Sequence, residues 1–154
     1  MMQVYLVQHG RAKSKQEDPA RPLTEAGRVE VERVARAVTA VVHPALILHS
    51  GKARAEQTAE IFAAQLKPAQ GIHAVEGLDP DDEPQRILAR LEQAQESLLL
   101  VGHLPHLSRL AALLLVGDPE RELVAFRNGG VVCLARERRR FALCWILTPE
   151  LVAS

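Results

Sequence analysis

The sequence predicts a three-layer α/β/α sandwich around a mostly parallel central sheet of about six strands. Three observations lead there. Short β-rich runs alternate with stretches of helical periodicity along most of the chain. One of those runs, Leu98–Val101 (LLLV), is continuously apolar, as a strand covered on both faces must be. The length, 154 residues of which 47% are hydrophobic, gives one domain a core large enough to need no covalent staples. A single domain over residues 1–154 is expected.

The elements follow in order. Gln3–Gln8 (QVYLVQ) reads as the first strand and ends at His9-Gly10. Arg11–Pro22 is polar and proline-bearing, hence a loop. Thr24 caps a helix running to about Val42, with Val31, Val34, Ala35 and Val38 on one face. Ala45–His49 is the second strand. Ser50 caps a second helix carrying Ala53, Ile61, Phe62 and Leu66, and Ile72–Val75 is a weaker strand. Glu76–Pro84 (EGLDPDDEP) is an acidic loop, followed by a helix through Ile87, Leu88, Leu91 and Ala94. After Leu98–Val101 comes a helix over His106–Val116. Asn128-Gly129-Gly130 marks a turn, and Val131–Ala135 with Phe141–Leu147 forms a terminal hairpin. A two-residue turn at Arg138–Arg139 would set Cys133 opposite Cys144, within reach of a cross-strand disulfide. The cluster Arg136, Arg138, Arg139 and Arg140 reads as a solvated hairpin tip.

Composition removes several function classes. Lys plus Arg and Asp plus Glu balance at 19 each, so the formal net charge is zero. A neutral chain is a poor general binder of nucleic acid or of membrane surfaces. With one Trp, one Tyr and three Phe there is no platform for stacking bases. Gly102, His103, Pro105, His106 and Arg109 break the longest apolar stretch, Ser97–Gly117, which therefore does not span a membrane. Two cysteines make no disulfide framework, and no basic leader opens the sequence. The expectation is a cytoplasmic protein with reduced thiols and with no nucleic-acid or membrane partner.

The chemistry sits at strand exits. In open α/β sheets, ligands bind beyond the carboxyl ends of the parallel strands. The first exit carries Gln8-His9-Gly10-Arg11. The second carries His49-Ser50-Gly51-Lys52-Ala53-Arg54, and the fourth Gly102-His103-Leu104-Pro105-His106, both opening helices. Imidazoles, arginines and helix N-termini converge there with no carboxylate among them. That is the composition of an anion site, with phosphate its usual occupant. The acidic loop leaves the third strand toward the same edge, with Glu76 and Asp79 as candidate proton donors. His9, His49, His103 and His106 lack companion carboxylate or thiolate ligands and lie near Arg54, so no metal site and no cofactor is expected.

VQHGRA, RPLTEAGR, HSGKARAEQTAEIF and LLLVGHLPHLSRLA, in that order, resemble the signature of the histidine phosphatase superfamily. In length and spacing the chain is similar to the SixA-type phosphohistidine phosphatase branch, from residue 3 to about 148. The resemblance implies a phosphoglycerate mutase-like fold and a phosphatase acting through a phosphoryl-histidine intermediate. It implies that His9 is the nucleophile, that Arg54 clamps phosphoryl oxygens and that His103 donates to an equatorial oxygen. Ser50 and the backbone near Gly10 would assist, and Asn128 would approach the pocket. The substrate it implies is phosphohistidine on a protein. Larger relatives roof the pocket with added segments, for which this chain has no room.

Two positions depart from the family pattern. Gln8 stands where relatives carry arginine, replacing a charge-assisted bond of about 1.5–3 kcal/mol by a neutral one of about 1 kcal/mol. Arg11, two residues beyond the nucleophile, is a candidate to restore that charge. Gly51-Lys52 replaces a common proline. Two alternatives stay open: a small-molecule phosphomonoesterase using the same residues, and a catalytically weak phosphate- or phosphopeptide-binding homologue.

Overall fold

Gln3–Gln8 forms β1 at the centre of the sheet. Its alternation sends Val4 and Leu6 to one face and Tyr5 and Val7 to the other, and all four are buried. The computed structural model describes residues 1–153. Within it, β2 (Leu46–His49), β3 (Ile72–Ala74), β4 (Leu98–Gly102), β5 (Val131–Glu137) and β6 (Arg140–Leu147) complete a six-stranded sheet in the order β3-β2-β4-β1-β5-β6. The first four strands of that order are parallel, while β5 runs antiparallel to β1 and β6 to β5.

Helices cover both faces. Helix α1 (Glu25–Ala37) and α2 (Ala53–Leu66) pack Val31, Val34, Ala59 and Phe62 against Tyr5, Val7, Ile47 and Leu99. On the other face, α3 (Gln85–Gln93) and α4 (His106–Val116) pack Ile87, Leu91, Leu107 and Leu110 against Val4, Leu6, Leu48 and Leu100. Each such large side chain contributes roughly 1.5–3 kcal/mol by leaving water. The helices leaving β1 and β2 lie on one face and the helix leaving β4 on the other. A crevice therefore opens beyond the carboxyl ends of these three neighbouring strands.

Some boundaries differ from the sequence expectation. Thr24 caps α1 by accepting the Gly27 amide at 2.9 Å, but the helix ends at Ala37 rather than near Val42. Val38 and Val42 are nonetheless buried, on a turn that keeps their spacing, so apolar periodicity here reports burial and not helix. The hairpin turns at Arg138–Arg139 as expected, with Glu137 opposite Arg140. The expected Cys133–Cys144 opposition does not hold. A bulge inserts Cys144 into β6, so that Leu134 faces Leu143 and Cys133 faces Trp145. Both cysteines are free, Cys133 buried and Cys144 exposed. Arg136 also leaves the solvated cluster, donating to the Leu91 and Glu92 carbonyls at 2.9 and 2.7 Å and so closing the end of α3.

One contact fixes the segment that follows β1. A Cβ built on Gly27 would stand 2.3 Å from the Arg11 carbonyl oxygen, and one on Gly10 would stand 2.7 Å from Val31 Cγ2. Glycines at these positions let α1 press directly on the backbone beyond His9. Gln57 on α2 completes the clamp by accepting the Leu23 amide at 2.8 Å.

Candidate active site

The parallel register aligns the strand exits. Gln8 pairs with Gly102, and His49 pairs with Val101. The residues that follow, His9, Ser50 and His103, therefore meet at one edge. The His9 and His103 ring centroids are 5.0 Å apart, with planes inclined at 53°. The structure thus brings together the two imidazoles that the sequence places 94 residues apart.

His9 is held by its backbone from several directions. Its amide donates to the Gly102 carbonyl at 3.1 Å, and its carbonyl accepts from the Asn128 side-chain amide at 2.9 Å. The next amide, Gly10, donates to Thr58 Oγ1 at 3.0 Å, and that hydroxyl donates to the Arg54 carbonyl at 2.8 Å. Thr58, fully buried, thus couples the His9 segment to the first turn of α2, where Arg54 sits. The ring has a defined tautomer as well. His9 Nδ1 lies 2.7 Å from the Gly10 carbonyl oxygen. A carbonyl can only accept, so Nδ1 carries the hydrogen and Nε2 keeps a free lone pair.

Electrostatics keep that lone pair available. Burial, reinforced by the positive charges of Arg54 and Arg21 and opposed by the Gly10 carbonyl, holds the His9 pKa down at about 4. Burial also lowers His103, to about 3, with His9, Arg54, Lys52 and His106 acting in the same direction. Both rings are therefore neutral at pH 7. Their depressed values mean that the unfolded chain binds more protons in the acid range. The stability they contribute is present above pH 6.5 and is lost as the pH falls from there toward 4 and 3. In an NMR titration of the ring resonances, we expect His9 and His103 to stay neutral down to about pH 5. A midpoint near 6.5 for either ring would contradict this environment.

His103 is 2% exposed, and its Nε2 lies 2.7 Å from Ser50 Oγ. Its Nδ1 is buried without a partner, while Nε2 faces Ser50. Ser50 does not cap α2 as expected. The residue at the cap is Lys52, with no side-chain bond, and Ser50 Oγ instead accepts the Lys52 amide at 3.3 Å and orients His103. Arg54 forms no ion pair among the described residues, and its Nε is buried without a partner. Burial and the neighbouring charge of Arg21 lower its pKa. A guanidinium without an ion-pair partner attracts an anion.

Other expected residues fall differently. Arg11 turns away: its side chain is 55% exposed and pairs with Glu30 at 2.8 Å. Arg11 therefore does not replace the charge absent at Gln8, whose Oε1 is buried with no partner. Glu76 also leaves the site. Its side chain is 93% exposed and pairs with Arg86 at 3.3 Å. Asp79 stays, lining a cleft of about 580 Å³ with Lys15, Arg21, Lys52 and Arg54. His49 is buried, its Nδ1 accepting the Gly51 amide at 3.0 Å. His106 is fully buried at the first position of α4 and makes no cap bond. Among the described residues, no group of three or more His, Cys, Asp or Glu side chains is placed to hold a metal ion.

Sequence reasoning missed Arg21. Its side chain lines the cleft, its charge reaches both His9 and Arg54, and its Nε donates to the Lys13 carbonyl at 3.0 Å. Its backbone, at φ 51°, is left-handed, which no periodicity announces. The available signal was its place at the head of RPLTEAGR.

A doubly wound α/β sheet here gathers neutral imidazoles and guanidinium groups without ion-pair partners at its strand ends, an arrangement suited to an anion. The family model for the histidine phosphatase superfamily (branch 1) matches residues 4–79, so the chain is similar to that superfamily over its first half. The fold extends the likeness over nearly the whole chain. The SixA protein histidine phosphatase complexed with tungstate is similar at 24% identity and a TM-score of 0.83, covering 96% of this chain and 97% of that one. A candidate phosphohistidine phosphatase SixA from Agrobacterium tumefaciens shares 25% identity at a TM-score of 0.78, covering 96% and 98%. The α-ribazole phosphatase from Shigella flexneri shares 18% identity at a TM-score of 0.79, covering 96% and 97%. No curated protein matches the chain. The family match supports a phosphatase, and the similar structures differ in the phosphorylated compound named for each. No helix among the described residues is long and apolar enough to cross a membrane.

Proposed function

We propose that the protein hydrolyses phosphohistidine on a protein through a covalent phosphoryl-His9 intermediate. The observation that carries this reading is the pair of neutral rings 5.0 Å apart beside the unpaired Arg54. Arg54 and Arg21 seat the phosphoryl oxygens, with Gln8, Gly10 and Ser50 around them. His9 Nε2 attacks phosphorus in line with the leaving group. The bond from phosphorus to the leaving nitrogen breaks, and its electron pair stays on that imidazole. His103 donates from Nε2 to an oxygen that gains charge in the transition state. Water then attacks the phosphoryl-His9 phosphorus, the P–N bond breaks, and the lone pair returns to Nε2. The arginines and His103 supply the charge stabilisation, so the reading requires no metal ion.

Two features favour a protein substrate. The cleft that holds Arg54 is open to solvent rather than enclosed. An open cleft admits a side chain presented by another protein. The imidazole of phosphohistidine also departs readily once protonated, so a strong general acid is not needed. Gln8 gives weight to a second reading, a weak enzyme or phosphopeptide binder, since a neutral amide holds phosphate less firmly than a guanidinium.

The test compares kcat/KM on a histidine-phosphorylated protein with kcat/KM on phosphoserine and α-ribazole phosphate. We expect the phosphoprotein to be preferred at least tenfold. A preference for either small ester replaces the substrate assignment, and binding without turnover of any of them favours the second reading.

A further inference from the structure

The cleft that contains Arg54 is charged on both sides. Lys15 and Arg21 reach it from the loop after β1, and Lys52 and Arg54 from the start of α2. Asp79, Asp81 and Asp82 reach it from the loop after β3. No ion pair joins the two sets among the described residues, where Asp82 pairs with Arg86 on its own segment. The basic and acidic groups thus face the same volume without neutralising each other.

Asp79 is fixed in place. The preceding residue, Leu78, is fully buried, with its carbonyl oxygen 3.6 Å from where a Gly102 Cβ would stand. The Asp79 amide donates to Asp82 Oδ2 at 3.0 Å, and the Asp82 amide returns a bond to the Asp79 carbonyl at 3.1 Å. The Asp79 backbone is therefore held beside the strand exit that carries His103, and the carboxylate's field reaches the Arg54 guanidinium.

Charge counting shows what such a carboxylate does. Four basic and three acidic side chains line the cleft, a formal charge of +1. A phosphoryl dianion seated on Arg54 turns that to −1. The remainder of the substrate then gains by being positive and loses by being negative.

We infer that Asp79 is a specificity-determining residue that favours phosphorylated compounds bearing a cationic group beside the phosphoryl and disfavours those bearing a carboxylate there. The inference rests on the phosphoryl seat at Arg54 proposed above. Its substrate class is amine-bearing phosphates and phosphorylated side chains flanked by lysine or arginine.

The test uses two ligands of similar size and opposite second charge, O-phosphoethanolamine and 2-phosphoglycolate. Their binding to the His9→Ala protein, which cannot turn them over, is followed by NMR titration at constant ionic strength. We expect O-phosphoethanolamine to bind about tenfold more tightly, as differential charge placement in a half-open site allows. Adding Asp79→Asn should bring the ratio to within about threefold of parity, and Asp79→Lys should invert it. A ratio unchanged by Asp79→Asn, or an initial preference for 2-phosphoglycolate, overturns the inference. Loss of catalysis is read separately. If the unsubstituted protein fails to hydrolyse p-nitrophenyl phosphate, the phosphatase reading fails and the binding ratio still decides the role of Asp79. If neither ligand nor inorganic phosphate binds, the seat does not exist and the inference falls with it.

Discussion

Alanine in place of His9 should lower turnover of p-nitrophenyl phosphate by on the order of 10⁴-fold or more while leaving the protein folded. The size of the effect follows from the ring's tautomer. The Gly10 carbonyl takes the Nδ1 hydrogen, so Nε2 is the only nitrogen on the ring free to attack. The environment keeps it unprotonated at neutral pH, which makes nearly every molecule competent. The fold should survive because the bonds that hold this segment run through the backbone of residues 9 and 10 rather than through the imidazole. Steady-state kinetics together with a circular dichroism melt checks both halves. Residual turnover within tenfold of the unsubstituted protein would remove His9 as the nucleophile and shift attention to His103.

The second large effect belongs to Arg54. Arg54→Ala should reduce kcat/KM by about 10²–10³-fold, the usual cost of losing a charged donor aimed at a developing negative charge. Arg54→Lys should recover only part of the loss, since an ammonium cannot reproduce a two-pronged contact with phosphoryl oxygens. Because Arg54 Nε is buried without a protein partner, removing the side chain breaks no existing bond, and the melting temperature should change little. A kinetic loss that tracks a loss of stability would instead mark Arg54 as structural.

Much of this architecture is legible before any coordinates. β1 and α4 fall at the boundaries that periodicity and turn residues indicate: β1 stops before Gly10, and α4 lies between Pro105 and Gly117. The meeting of His9, Ser50 and His103 follows from a single topological rule, since parallel neighbours end at the same edge. What escapes the sequence is the behaviour of side chains on irregular backbone. Arg11 and Arg21 both lie in the loop after β1, and composition gives no reason to prefer one. The structure decides through Gly27, whose bare Cα lets α1 settle on the Arg11 backbone while the Arg11 guanidinium finds Glu30. Arg21, held in a left-handed turn, takes the inward position. Of the two acidic candidates, Glu76 is drawn off by Arg86 and only Asp79 remains in the cleft. The extra residue at Cys144 is invisible for a related reason. One bulged residue leaves the alternation of the sequence looking regular yet shifts by one which side chains face each other beyond it.

The stitching of the first strand's exit has one more implication. Residues 8 to 10 are tied at once to the β4 exit through Gly102, to the second helix through Thr58, and to the approach to β5 through Asn128 and Gly129. Partial opening that frees one tie leaves the others closed. Heating should therefore erase reactivity and tertiary order in a single cooperative step, with no warm, still-folded state in which the centre has already come apart.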